Sequence, residues 1–153
     1  MLRSFLIGLV AGQRGMTPLA VLAIATRRRA VPAELPFQSL LLNPLVVAGA
    51  TALAAAEMAG DKMKTAPDRI IPIGLATRSI TAGYAGAALA PREKRALGAA
   101  VAVGTALVAS YVGWRLRCAA MHRYGQTSTG FVEDAIVFAS GLAITHYGDT
   151  DGR

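Results

Sequence analysis

Charge is what this sequence has least of. Lys, Arg, Asp and Glu supply 16% of its 153 residues, where a soluble domain carries roughly 25%. So few charges cannot cover a water-facing surface. Hydrophobic residues fill 54% of the chain, and the mean hydropathy is +0.44. This balance excludes a disordered tail and a coiled coil, and it points to lipid as the surround. Cysteine is nearly absent. Cys118 alone cannot close an internal bridge, which excludes a disulfide-stapled secreted domain and leaves the redox compartment unread. Aromatics are 6% and do not interleave with bases. The net charge of +7 is therefore not the footprint of a nucleic-acid binder. Most of the bases are Arg at the ends of apolar runs, where the side chain meets phosphate headgroups and snorkels.

What the chain does have is long uncharged windows. Leu35 to Ala56 holds 22 residues without a charge, and Ala96 to Trp114 holds 19. Ser4 to Thr26 is broken only by Arg14, and Ile70 to Pro91 only by Arg78. Thr127 to Tyr147 opens on Glu133 and Asp134. A hydrocarbon core of about 30 Å takes about 20 helical residues, and the runs lack the alternation of barrel strands. The expectation is an all-α integral membrane bundle of about five transmembrane helices in one domain over 1–153. The spans fall at about 4–26, 36–58, 70–91, 96–115 and 129–147. The first apolar run resumes after Gly12-Gln13-Arg14-Gly15, unlike the single short core of a cleaved signal, so it reads as a retained span. Small residues recur at four-residue spacing, as at Gly8 and Gly12, at Ala52, Ala56 and Gly60, and at Ala82, Gly86 and Ala90. They let helix backbones approach closely in lipid. Arg14-Gly15-Met16-Thr17 and Arg78-Ser79-Ile80-Thr81 are a faint repeat between the first and third spans.

Charges inside spans mark function or helix pairing, because each costs at least about 2.5–3.5 kcal/mol unpaired. If five spans alternate, Arg14 lies roughly 15 Å and Arg78 roughly 12 Å along their helices. Glu57, Asp61, Lys62, Arg115, Arg117, Glu133 and Asp134 then fall in the same half of the bilayer, the half nearer the N-terminus. The first span is expected to break near Gly15–Pro18. Thr17 is a good cap, and Pro18 suits a first helical turn. A half-helix starting there turns its positive end toward Arg14 and Arg78, as an anion site does. The candidate ligand-binding set is Arg14, Arg78, Glu57, Asp61, Lys62 and Asp134.

Other chemistry has little to stand on. Cys118 and His122 are two residues and make no metal site. No phosphate-binding loop, serine-nucleophile elbow or zinc-protease motif occurs, so neither an enzyme nor a cofactor is expected. Tyr111, Trp114, Tyr124 and Tyr147 fit an interfacial belt.

Three segments carry a resemblance. They are Gly12-Gln13-Arg14-Gly15-Met16-Thr17-Pro18-Leu19-Ala20, Glu57-Met58-Ala59-Gly60-Asp61-Lys62 with Pro67 and Arg69, and the Glu133-Asp134 pair. Over nearly its whole length the chain resembles the bacterial membrane family of unknown function called DUF4126. Gly15 stands where that family usually has Ser. The resemblance implies a small polytopic inner-membrane protein and no activity.

The expected function is binding, or passage, of a small anionic or polar solute or a lipid headgroup. The alternative is a structural or accessory membrane subunit whose charges only hold the helices together. The expected partners are the lipid bilayer, a second copy in a homo-oligomer and that solute, with no nucleic acid. Counting Lys and Arg near span ends gives seven on each face of an alternating five-span bundle, so orientation ties.

Overall fold

A computed structural model of the chain describes residues 1–28, 35, 37–60, 71–124 and 126–146. Among them every regular element is helical. The helices are α1 (Leu2–Gln13), α2 (Thr17–Arg27), α3 (Gln38–Leu42), α4 (Pro44–Gly60), α5 (Pro72–Ala88), α6 (Arg95–Tyr124) and α7 (Gln126–His146), with a 3-10 turn at Arg92–Lys94 before α6. The all-helical expectation therefore stands. One stretch among the described residues, Arg92–Ala120, is long and apolar enough to cross a membrane alone; α1, α2 and α4 are shorter apolar helices.

The second expected span, 36–58, is divided. Asn43 is extended, with φ −67 and ψ 123, because the ring of Pro44 disfavours helical backbone in the residue before it. The Asn43 side chain then accepts from Leu45 N at 2.9 Å, serving an amide that α4 leaves open. The fourth span is longer than 96–115, since α6 runs on to Tyr124. Arg115 to Met121 holds mostly good helix formers.

The first span departs furthest from expectation. Helix α1 ends where Arg14 is extended, with φ −141 and ψ 114, and α2 starts at Thr17. Arg3 donates to the carbonyls of Ile144 and Thr145, and Arg14 pairs with Asp134, so α1 runs antiparallel to α7. A Cβ added to Gly141 would meet Val21 Cγ1 at 3.1 Å and Val10 Cγ1 at 3.7 Å. On one continuous helix those valines would lie roughly 16 Å apart. The chain folds back at Arg14–Met16, and α1 and α2 are the arms of a helical hairpin. The expected single crossing over 4–26 is corrected accordingly.

The remaining helices surround this hairpin. Ser4 Oγ donates to Gly86 O and Thr81 Oγ1 to Gly15 O, which sets α1 antiparallel to α5. A Cβ on Gly8 would meet Ala102 O at 2.6 Å, and one on Gly12 would meet Ala106 O at 2.8 Å. Helices α1 and α6 thus run parallel with touching backbones. Gly86 and Gly98 hold α5 on α6 in the same way: a Cβ on Gly86 would strike the Ala102 Cβ and lie 2.6 Å from Gly98 O. The core is small-sided, with Ala11, Ala23, Ala82, Ala85, Ala102 and Ala106 buried around Ile7, Val21 and Leu22. The large apolar side chains point outward: Leu45 is 80% exposed and Ile73 and Ile80 are 73% exposed.

Candidate functional site

The hairpin tip is where the polar groups collect. Three residues turn the chain, and the amides at the start of α2 are left without intrahelical partners. Helix α4 supplies the acceptor. Glu57, in its last turn, takes Gly15 N on Oε1 at 2.7 Å and Met16 N on Oε2 at 2.9 Å. A carboxylate on the N-terminal end of a helix is stabilised by the hydrogen bonds and by the helix dipole. Thr17 is therefore not the cap. Met16 occupies that position without a side-chain bond, and capping comes from another helix. The Thr17 hydroxyl is fully buried with no hydrogen-bond partner. Gly15 has a steric role. A Cβ there would press on Arg78 Cγ at 3.2 Å and make ordinary contact with Glu57 Oε1 at 3.5 Å, so an added side chain would meet Arg78 first.

Three ion pairs surround the tip, each joining different elements. Arg14 Nε donates to Asp134 Oδ1 at 2.8 Å, and Arg14 Nη2 faces the same oxygen. Arg14 is 1% exposed, a burial that an arginine tolerates only when paired. Arg78 Nη2 lies 4.0 Å from Glu57 Oε1. Farther along α6 and α7, Arg117 Nη1 donates to Glu133 Oε2 at 3.2 Å. Beside the tip, Gln13 Nε2 donates to Ala109 O at 3.1 Å.

Of the residues expected at the site, Arg14, Arg78, Glu57 and Asp134 are brought together. Asp61 and Lys62 lie outside the described residues. The expected side of convergence is corrected. These charges lie toward the end of the bundle opposite the N-terminus, because the first segment folds back and α6 then runs parallel to α1. Sequence reasoning missed the role of Glu57 as a cap, the acceptor role of Gly15 O toward Thr81, and the Arg117–Glu133 pair. A signal for the reversal was present. Arg3 and the Arg27–Arg29 run bracket two half-length apolar segments, as they would if both ends emerged on one face. No cluster of three or more His, Cys, Asp or Glu among the described residues is placed to hold a metal ion.

The arrangement grips one carboxylate, with a donor for each oxygen and a guanidinium alongside. No protein-family model, curated protein or solved structure matches the chain.

Proposed function

We propose that this chain is a multi-pass protein of the bacterial inner membrane that holds a small anionic or polar solute, or a lipid headgroup, at the tip of a re-entrant helical hairpin. The DUF4126 resemblance belongs to the same proposal, and no catalytic step does. The membrane part is supported by an inverted surface. Exposed Leu45, Ile73, Ile80, Val108, Leu116, Phe131 and Ile136 surround buried Arg14, Arg78 and Asp134. In water, so much exposed apolar area is an aggregation liability. The layout would be a hairpin entering from one face with α4, α5, α6 and α7 crossing. The twelve residues of α1 reach about 18 Å into a core of about 30 Å, which sets the tip near mid-depth. Non-helical backbone is tolerated there where protein satisfies it.

The observation that carries the anion reading is the Glu57 carboxylate on the amides of Gly15 and Met16: the tip binds a carboxylate, and here the carboxylate is its own. The test is thermal unfolding of the detergent-solubilised protein against chloride, sulfate, phosphate, carboxylates and lipid headgroups, each raised to high concentration. One of them should stabilise the protein, by about 2.7 kcal/mol at one hundred times its dissociation constant. Arg78→Lys keeps the charge but loses the planar fork, and should weaken that response.

A second reading has its own support. Arg14, Arg78 and Arg117 each face an acid from another helix, and mutually neutralising pairs are what a structural or accessory subunit needs. Stabilisation by no anion at all would leave this reading in place of the first.

With the hairpin, the Lys and Arg count no longer ties. Among the described residues, Arg27 and Arg28 join Arg3, Arg92, Lys94 and Arg95 on the face of the N-terminus, against Arg115, Arg117 and Arg123 at the other end of α6. The positive-inside rule then places that face in the cytoplasm.

A further inference from the structure

We infer that Glu57 is a displaceable occupant of its own site, and that the group exchanged at the hairpin tip is the carboxylate of a monocarboxylic acid. This rests on the anion reading above and narrows it to a chemical class.

Three features select that class. The first is the donor pattern. Gly15 N and Met16 N reach different oxygens of Glu57, at 2.7 and 2.9 Å, which is the match for a planar two-oxygen group. The second is charge. Arg78 faces Glu57, and Arg14 faces Asp134. Exchanging one monoanion for another keeps that balance. A sulfate or phosphate dianion would add a negative charge with no partner among poorly solvated groups, which is costly. The third is an open donor. Thr17, next along from Met16 and in the first turn of α2, carries a fully buried hydroxyl with no partner. An unmade buried hydrogen bond is costly, and a ligand filling this turn can supply the acceptor that Glu57 does not.

Glu57 is also the exchangeable acid of the three. Its side chain is 24% exposed, against 10% for Asp134 and 18% for Glu133. Its hold on the tip is that of a tethered group, which competes at an effective concentration in the millimolar range or above. Free carboxylates must overcome that competition, so removing it should reveal the site.

The experiment compares wild type with Glu57→Ala, solubilised and titrated with sodium acetate, and with sodium chloride, sulfate and phosphate at matched ionic strength, read by thermal unfolding. Glu57→Ala should be less stable than wild type and recover saturably with acetate. Its apparent affinity for acetate should exceed that of wild type by at least about tenfold. Laurate, added below its micellar concentration, separates two sources of the same chemistry. A response tighter than that to acetate points to a membrane-borne fatty acid, and an equal one to a soluble acid. If Glu57→Ala does not fold, Glu57→Gln carries the same titration, because it keeps the side chain's shape and removes its charge. Recovery with sulfate or phosphate equal to that with acetate would overturn the carboxylate assignment while leaving the anion site standing. No recovery with any anion would overturn both.

Discussion

Two regions of the bundle are held by opposite means. Along α1, short of the tip, α1, α5 and α6 meet through Gly8, Gly12, Gly86 and Gly98, with backbones in contact and hardly any side chain between them. At the hairpin tip, Arg14, Arg78, Glu57 and Asp134 meet through directed charges. In the lipid surround proposed above, helices have no hydrophobic drive to associate, so the first region would depend on dispersion and fit. The second depends on each charge having its partner. A glycine seam fails when an atom is added. A charge belt fails when one is removed.

The largest test is all-or-none and concerns whether both regions sit on a folded-back chain. In a Cys118→Ser background, Leu2→Cys and Arg28→Cys should label with an impermeant thiol reagent from one side of a sealed, uniformly oriented membrane, and Arg115→Cys from the other. Labelling of the first two from opposite sides would restore one straight crossing. Next is the charge belt. Asp134→Ala strands a nearly fully buried Arg14 and should cost about 3–5 kcal/mol, read as reversible unfolding in mixed detergent. A cost below about 1 kcal/mol, as surface pairs give, would mean that water already solvates the tip. The seam should respond less. Gly86→Val forces atoms against Ala102 and Gly98 and should cost about 1–3 kcal/mol by overpacking, with no change in any response to anions. The smallest effect is a control of opposite sign. A Cβ on Gly104 meets nothing within 4 Å, so Gly104→Ala should be neutral or stabilise by up to about 1 kcal/mol. A destabilisation there would show that something covers this face of α6.

The helices, the break and the company of charges were legible in the residues. Gly12-Gln13-Arg14-Gly15-Met16-Thr17-Pro18 favours a helix break, because glycine lowers helix propensity and proline prefers a first turn. Charges that lipid rejects must meet inside protein, and four of the six expected site residues do. The direction of the chain after the break was not legible. Hydropathy sums a window and gives the same value whether its second half continues or returns. The choice is made by Val10 and Val21 closing on Gly141, more than a hundred residues away. The side on which the charges gather followed the same choice. Nor does a sequence say which acid takes which base. Asp134 rather than Glu57 serves Arg14 because α7 flanks the hairpin along α1, while α4 packs along α2 and its Glu57 turns to the amides of Gly15 and Met16.

The reversal at Arg14–Met16 also bears on the order in which the molecule is made. The hairpin leaves the ribosome before the helices that seat it, and its arms are twelve and eleven residues long, each too short to cross a bilayer. The groups that hold it come later: Glu57, then Gly86 and Ala102, and finally Asp134 and the carbonyls of Ile144 and Thr145. Until α7 is complete, Arg14 lacks Asp134, and in the proposed membrane setting little would draw it from the bilayer surface. The hairpin is thus made before every group that seats it. In the membrane setting proposed above, its insertion would be a late closing step, and a chain truncated before α7 would be left with the hairpin lying along the lipid headgroups, within reach of surface proteases.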